Sequence, residues 1–364
     1  MSLKRWLGLS CVLAVGCGIE AEMEDESLGE DAQAITLIGK FLFEEETFQG
    51  NGRTCATCHS RQTGQVSPEE AQARFAADPN DPLFRPIDSD DGVGSSYTRL
   101  LEDATIRVTL PLPAGWTLPD EPGATSVTFA RGIPTTLNVP SLDTIFMYDG
   151  RNATLEEQAL GAVNAHYQPG RQPTVFELSK IAEQEQTFSF FSDVRLRKYA
   201  NGGDAPVLPK GNTAAQKRGR KWFVPSAQGI CSHCHSGPML NETNAFLLAP
   251  LPPGSRFFTA FVSELNKAGN EVKTFEVDNG DGTTTTIESP DPGRALITGN
   301  PAEANFFRIP TIWGAKDTAP YFHDNSAKTL EDLLQHYSDY FQIVGLPALT
   351  AQEQSDIIAY MQLL

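Results

Sequence analysis

The 364-residue chain is short of what a membrane span or a polyanion-binding surface would need. After residue 17 no apolar run is long enough to cross a bilayer, which takes about 20 consecutive apolar residues. Lysine and arginine number 28 against 46 aspartates and glutamates, a net charge of −18. Removing an N-terminal leader that carries Lys4 and Arg5 takes it to −20. Phosphate binding rests on cationic side chains, so this balance argues against nucleic acid as a partner. Cysteine is scarce too: of six, two lie within the first 17 residues and four fall in two short patterns. Histidine also numbers six, and none lies between Arg61 and Asn164. With 40% hydrophobic residues, 30 glycines and 25 prolines, the composition fits two loop-rich globular domains.

The four remaining cysteines stand in Cys55-Ala-Thr-Cys58-His59 and Cys231-Ser-His-Cys234-His235. Two thiols at i and i+3 can add across the two vinyl groups of one haem, and the next residue offers an imidazole to the iron. Cys-x-x-Cys alone also serves zinc sites and dithiol redox pairs. Zinc would require the two pairs to join across a very long gap, and a redox pair needs no following histidine. The doubled signature therefore predicts two covalent c-type haems, held by Cys55, Cys58 and His59 and by Cys231, Cys234 and His235.

At the N-terminus Lys4 and Arg5 precede an apolar stretch from Trp6 to Gly16, the pattern of an export signal. Leu13-Ala-Val-Gly16 before Cys17 resembles a bacterial lipobox, which predicts a lipid-anchored protein with a signal over 1–17; simple cleavage is the other reading. Either puts haem attachment outside the cytoplasm, in the periplasm or cell envelope, with the membrane touched only through the lipid. Seven acids from Glu20 to Asp31 mark 18–33 as a tether. The folded part is expected from Ala34, where Ile35, Leu37, Ile38, Phe41 and Leu42 recur at helical spacing. Asp78 to Pro82 and Asp88 to Gly94 read as surface loops, and Thr105 to Leu110 alternates like a strand of a hairpin insertion.

The chain also repeats itself. Ile133-Pro-Thr135 returns as Ile309-Pro-Thr311 with a shift of 176, the shift that relates Cys55 to Cys231. Asp149 to Glu157 returns as Asp324 to Asp332 with a shift of 175. A duplicated haem domain is the expected architecture: mainly α, two tandem cytochrome c-like haem domains at 34–205 and 206–364, with long loops and little β. In each copy a threonine followed three residues later by an acid, Thr154 with Glu157 and Thr329 with Asp332, predicts a capped helix start. On the second of these helices Leu330, Leu333, Leu334, Tyr337 and Phe341 share a face, with His336 beside it; Leu155, Gln158, Ala159 and Ala162 make the matching face on the first. Tyr337 thus corresponds to Ala162. If this face approaches the haem opposite the histidine, the second iron can be closed and the first left open, with Gln158 near it; otherwise Tyr337 is a core aromatic.

From Gly39-Lys-Phe-Leu-Phe43 through Tyr148-Asp-Gly-Arg151, Leu155-Glu-Glu-Gln158-Ala, Cys231 to Gly237, Ala319-Pro-Tyr-Phe-His323-Asp and the closing stretch Leu349 to Leu364, the chain resembles the bacterial dihaem cytochrome c peroxidases and their MauG-type relatives, which mature methylamine dehydrogenase. The resemblance implies an N-terminal haem that reduces hydrogen peroxide and a C-terminal haem that stores electrons. It also implies a small electron-donor protein, a cytochrome c or cupredoxin, and often a calcium ion between the domains. Tyr148 stands where the peroxidases usually keep a tryptophan between the haems, still an aromatic for relay. Tyr337 matches the MauG-type ligand rather than the peroxidases' methionine. The family's distal glutamate falls on Gln168, which cannot take a proton; His166, two residues earlier, is either the substitute base or an ordinary surface histidine. The calcium-binding asparagine falls on Gly132, which argues against that ion. No histidine from Arg61 to Asn164 is available to block the first iron. Three functions remain in view: peroxide reduction, MauG-like oxidation of a partner protein or organic substrate, and electron carriage without peroxide chemistry.

Overall fold

The computed structural model describes residues 37–364; the expected leader at 1–17, the lipid-bearing Cys17, the tether at 18–33 and the start of the first helix at Ala34 and Ile35 lie outside them. Among the described residues helix outweighs strand, but seven short strands form three small sheets, more β than the sequence reading allowed. Strand Thr105–Pro111 pairs antiparallel with Ser126–Gly132, the expected hairpin. A second hairpin, Lys273–Asp278 with Thr284–Ser289, was not foreseen, although Asn279-Gly-Asp-Gly282 between its strands is a strong turn signal. Strand Trp116–Thr117 joins that second hairpin, so one sheet is shared between the two halves of the chain, with Trp116 edge-on to Phe275 at 5.9 Å. No helix among the described residues is long and apolar enough to cross a membrane.

Helices bear out the repeat and extend it. Leu155–His166 and Leu330–Ile343 start at Thr154 and Thr329, each side chain accepting from the N–H of the acid three residues on. The helices Val175–Glu185 and Ala351–Met361, related by a shift of 176, carry the same cap through Thr174 with Glu177 and Thr350 with Glu353. Each of these is crossed by an earlier helix at a glycine: a side chain on Gly39 would strike the Lys180 carbonyl, and one on Gly219 the Asp356 carbonyl. Lys180 and Asp356 are both the sixth residue of their helix, so both halves are locked by the same close crossing.

That crossing corrects the expected face of the first helix. With Gly39 turned inward, Leu42 and Phe43 are the buried residues, while Leu37, Ile38 and Phe41 are exposed. A second correction concerns Asp88 to Gly94. Asp88 is fully buried, because the guanidinium of Arg53 lies 2.5 Å from its carboxylate. A buried carboxylate is tolerated when a charge pairs with it.

Candidate functional site

Thr54 caps the short helix Cys55–Cys58, and His59 follows it. The His59 Nδ1–H donates to the carbonyl of Gly64 at 2.8 Å, where a backbone φ of +69° bends the loop back. His235 repeats the arrangement on the carbonyl of Leu240 at 2.9 Å, also left-handed at +51°. A carbonyl only accepts, so each imidazole carries its proton on Nδ1 and leaves Nε2 free for a metal. Burial pushes both imidazoles below the usual histidine value, which keeps them neutral as ligands must be.

The thiols behave differently from a redox pair. Burial pushes Cys55, Cys231 and Cys234 up to about 12, and the Tyr167 hydroxyl, donating to Cys55 Sγ at 3.3 Å, only partly offsets it. Reactive dithiols need depressed values. Among the described residues no group of three or more His, Cys, Asp or Glu is arranged to hold a metal ion. Paired thiols, a pre-oriented Nε2 and buried polar atoms without partners nearby, His166 Nδ1 and Glu185 Oε2, fit a haem at the first turn.

Facing that turn, helix Leu155–His166 buries Leu155, Ala159 and Val163 in the core. Gln158, Ala162 and His166 follow at steps of four along the adjoining, half-buried stripe. Burial pushes the His166 imidazole down to about 4, with Asp88, Arg53, Arg151 and His59 acting on it, so His166 lies within electrostatic reach of His59. Its carbonyl is held by Asn51 Nδ2 at 2.9 Å. Gln168 is not brought in: it is exposed, left-handed at a φ of +50°, with its side-chain oxygen accepting from Asn51. Tyr148 is half-buried, and burial drives its phenol well above the ordinary value, with Arg308 and Asp324 next to it.

At the second turn, burial likewise drives the Tyr337 phenol far up, and Cys234 and Cys231 add to the shift, so the phenol lies within electrostatic reach of the haem-binding cysteines. His336, about 100° round the helix, is 1% exposed and turned elsewhere, with Nε2 2.8 Å from the Ala260 carbonyl. His323 is buried and stacked on Phe307, with ring centroids 3.6 Å apart.

The charged groups that hold these pieces together escaped the sequence reading. Arg131 sits between Asp291, at 2.6 Å, and Asp149, at 2.5 Å, and Arg151 also reaches Asp149 at 2.7 Å. Asp143 takes Arg256 and Arg308, at 2.7 and 2.8 Å. Asp149 lay inside a segment noted from the repeat, but Arg131, 18 residues upstream of it, is joined to Asp291 across 160 residues, which leaves no local signal. Gly132, where the relatives' calcium ligand would fall, has no room for a side chain, since the Asn325 amide fills the space.

Residues 33–201 match the family described as di-haem cytochrome c peroxidase. The chain is 26% identical over 270 residues to cytochrome-c peroxidase IdrP1 of Pseudomonas sp. strain SCT, covering 64% of this chain and 68% of that protein. To cytochrome c551 peroxidase of Nitrosomonas europaea it is 25% identical, over 56% of each chain. By this match and these relatives the chain is similar to the di-haem cytochrome c peroxidase and MauG family. On this similarity it is an oxidoreductase with two c-type haems. Its fold is similar to that of a MauG-like protein associated with microbial copper homeostasis (TM-score 0.51, 18% identity, 90% of this chain and 87% of that one). It is equally similar to the diheme peroxidase BthA of Burkholderia thailandensis (TM-score 0.51, 14% identity, 90% and 85%). Spanning 56% of the Nitrosomonas peroxidase, the di-haem chain matches just over half the length of that relative.

Proposed function

We propose that this chain reduces hydrogen peroxide at the haem held by Cys55, Cys58 and His59. Electrons would come from a small redox protein, a cytochrome c or cupredoxin, through the haem held by Cys231, Cys234 and His235. The two haem domains are 34–205 and 206–364, carried into the periplasm by the leader and anchored there by the lipid on Cys17. The reading is carried by one position of the repeated helix, which is Ala162 in one copy and Tyr337 in the other. When bound, each haem would supply one-electron chemistry. His59 and His235 hold iron through Nε2, oriented by the Gly64 and Leu240 carbonyls. The small Ala162 would leave the first haem a free position, and the Tyr337 phenol would serve as a ligand at the second. Gln158 steadies peroxide through its amide. His166, neutral at ordinary pH, takes a proton from one peroxide oxygen at Nδ1 and returns it to the other as the bond breaks. Two electrons and two protons convert one peroxide to two waters, with Tyr148 relaying electrons between the sites.

Peroxide consumption with reduced cytochrome c as donor tests this proposal. Steady turnover by the oxidised enzyme, without a lag that needs prior reduction, is the expected result. Tyr337 also favours a second reading, MauG-like oxidation of a partner protein or organic substrate. Peroxide reacting with the ferric protein while reduced cytochrome c stays unoxidised would select that reading.

A further inference from the structure

Leu178, Ile181, Ala182 and Glu185 form the buried stripe of helix Val175–Glu185, at the spacing of one helical face. Leu178 and Ile181 pack in the cluster that Cys55 and Ala56 adjoin. The stripe then ends in an acid: Glu185 is 4% exposed, and its Oε2 has no hydrogen-bond partner. On the twin helix the same place is Met361, buried in the cluster that Cys231 adjoins. A carboxyl thus stands where the duplicated copy keeps a thioether, at the end of the stripe beneath the first haem turn. Burying an unpaired carboxylate is unfavourable by several kcal/mol, so Glu185 stays a neutral acid unless a cationic centre lies beside it.

We infer that Glu185 is the redox-linked proton carrier of the first haem. Ferric haem with Glu185 ionised takes one electron from a one-electron donor and one proton from solvent, giving ferrous haem with Glu185 as the carboxylic acid; reoxidation reverses both. The ferric centre carries the positive charge that holds the carboxylate, and on reduction that charge is lost in a low-dielectric surrounding. Burial already pushes Glu185 up to about 8 when no such charge is beside it, and Glu156 raises it further. Glu156, from helix Leu155–His166, and the Cys55 thiol are the titratable groups acting with it, and the thiol is removed from the balance when it becomes a thioether. On its own helix Lys180 and Glu183 pair with each other at 2.7 Å, and on the crossing helix Lys40 is exposed while Glu44 pairs with Arg61. Helix Val139–Leu142, packed on the same side, has no titratable side chain. Glu156 lies about 200° round the helix from Gln158, so Glu185 stands off the peroxide-facing stripe.

The inference rests on the first turn carrying a haem but not on peroxide chemistry. Its test is a spectroelectrochemical titration of the two-haem protein from pH 5 to 9, following the high-spin haem with electrons from an electrode. The midpoint potential of that haem is expected to fall as pH rises, by close to one proton per electron over part of the range. Glu185→Gln and Glu185→Met should flatten the slope, and Glu185→Asp should retain it. An unchanged slope in Glu185→Gln, or no slope in the wild type, overturns the inference. Failure of the underlying haem assignment would show separately, as a protein carrying one haem instead of two.

Discussion

At the first haem turn the facing helix presents Ala162 and the supporting helix ends in Glu185; at the second the same places hold Tyr337 and Met361. What carries the cofactor is repeated down to the carbonyl that accepts from each histidine. What surrounds it has changed. The attachment chemistry, which tolerates little variation, is thus kept in both halves, and on the proposed reading the side chains around it diverge into an open site with polar groups and a closed one lined by aromatics. Support has diverged as well: Arg53, fully buried against Asp88 beneath the first turn, corresponds to Gly229 in the second.

The comparison breaks most sharply at the proximal histidines. His59→Gly should reduce peroxide turnover to background, whereas His235→Gly should leave a single reaction of the ferric protein with peroxide and remove sustained turnover from the donor; stopped-flow spectra separate the two. Ala162→Tyr would give the first site the second site's ligand. The high-spin bands should disappear and the peroxide reaction slow to near background, while Tyr337→Phe should convert the other haem to high spin or recruit a new ligand. If His336→Ala changes the second haem and Tyr337→Phe does not, the ligand is His336.

Smaller effects sharpen the contrast. His166→Ala should slow the peroxide reaction by roughly 10²-fold or more, the usual scale for a positioned base. With His166 pushed down to about 4, the base is neutral above that pH and is protonated as pH falls through it. The wild-type rate should therefore drop below about pH 5, and the variant should lack that limb. Asp88→Asn leaves the Arg53 charge buried and unpaired, which typically destabilises by about 3–5 kcal/mol. Denaturant unfolding should register the loss, with the first haem's bands changing before those of the second, which has Gly229 where the first has Arg53.

Legibility in the sequence followed the range of the interactions. The attachment signatures, the threonine caps and the strand at Thr105 are written within five or six residues, and the structure has them all. The inward side of the first helix was misjudged because it depends on Gly39 meeting the Lys180 carbonyl, a contact between residues 141 apart in sequence. Asp88 looked like loop because its cation, Arg53, lies 35 residues upstream, and the partners of Arg131 were invisible for the same reason. Gln168 followed from resemblance to relatives, yet a left-handed turn after the helix swings it to the surface, where its side chain accepts from Asn51.

The central claim, one open and one closed iron, is read most directly from the electron paramagnetic resonance spectrum of the as-isolated ferric protein. One high-spin and one low-spin signal in equal amounts are expected, the low-spin one lost or shifted in Tyr337→Phe. Two low-spin signals in the wild type would contradict it.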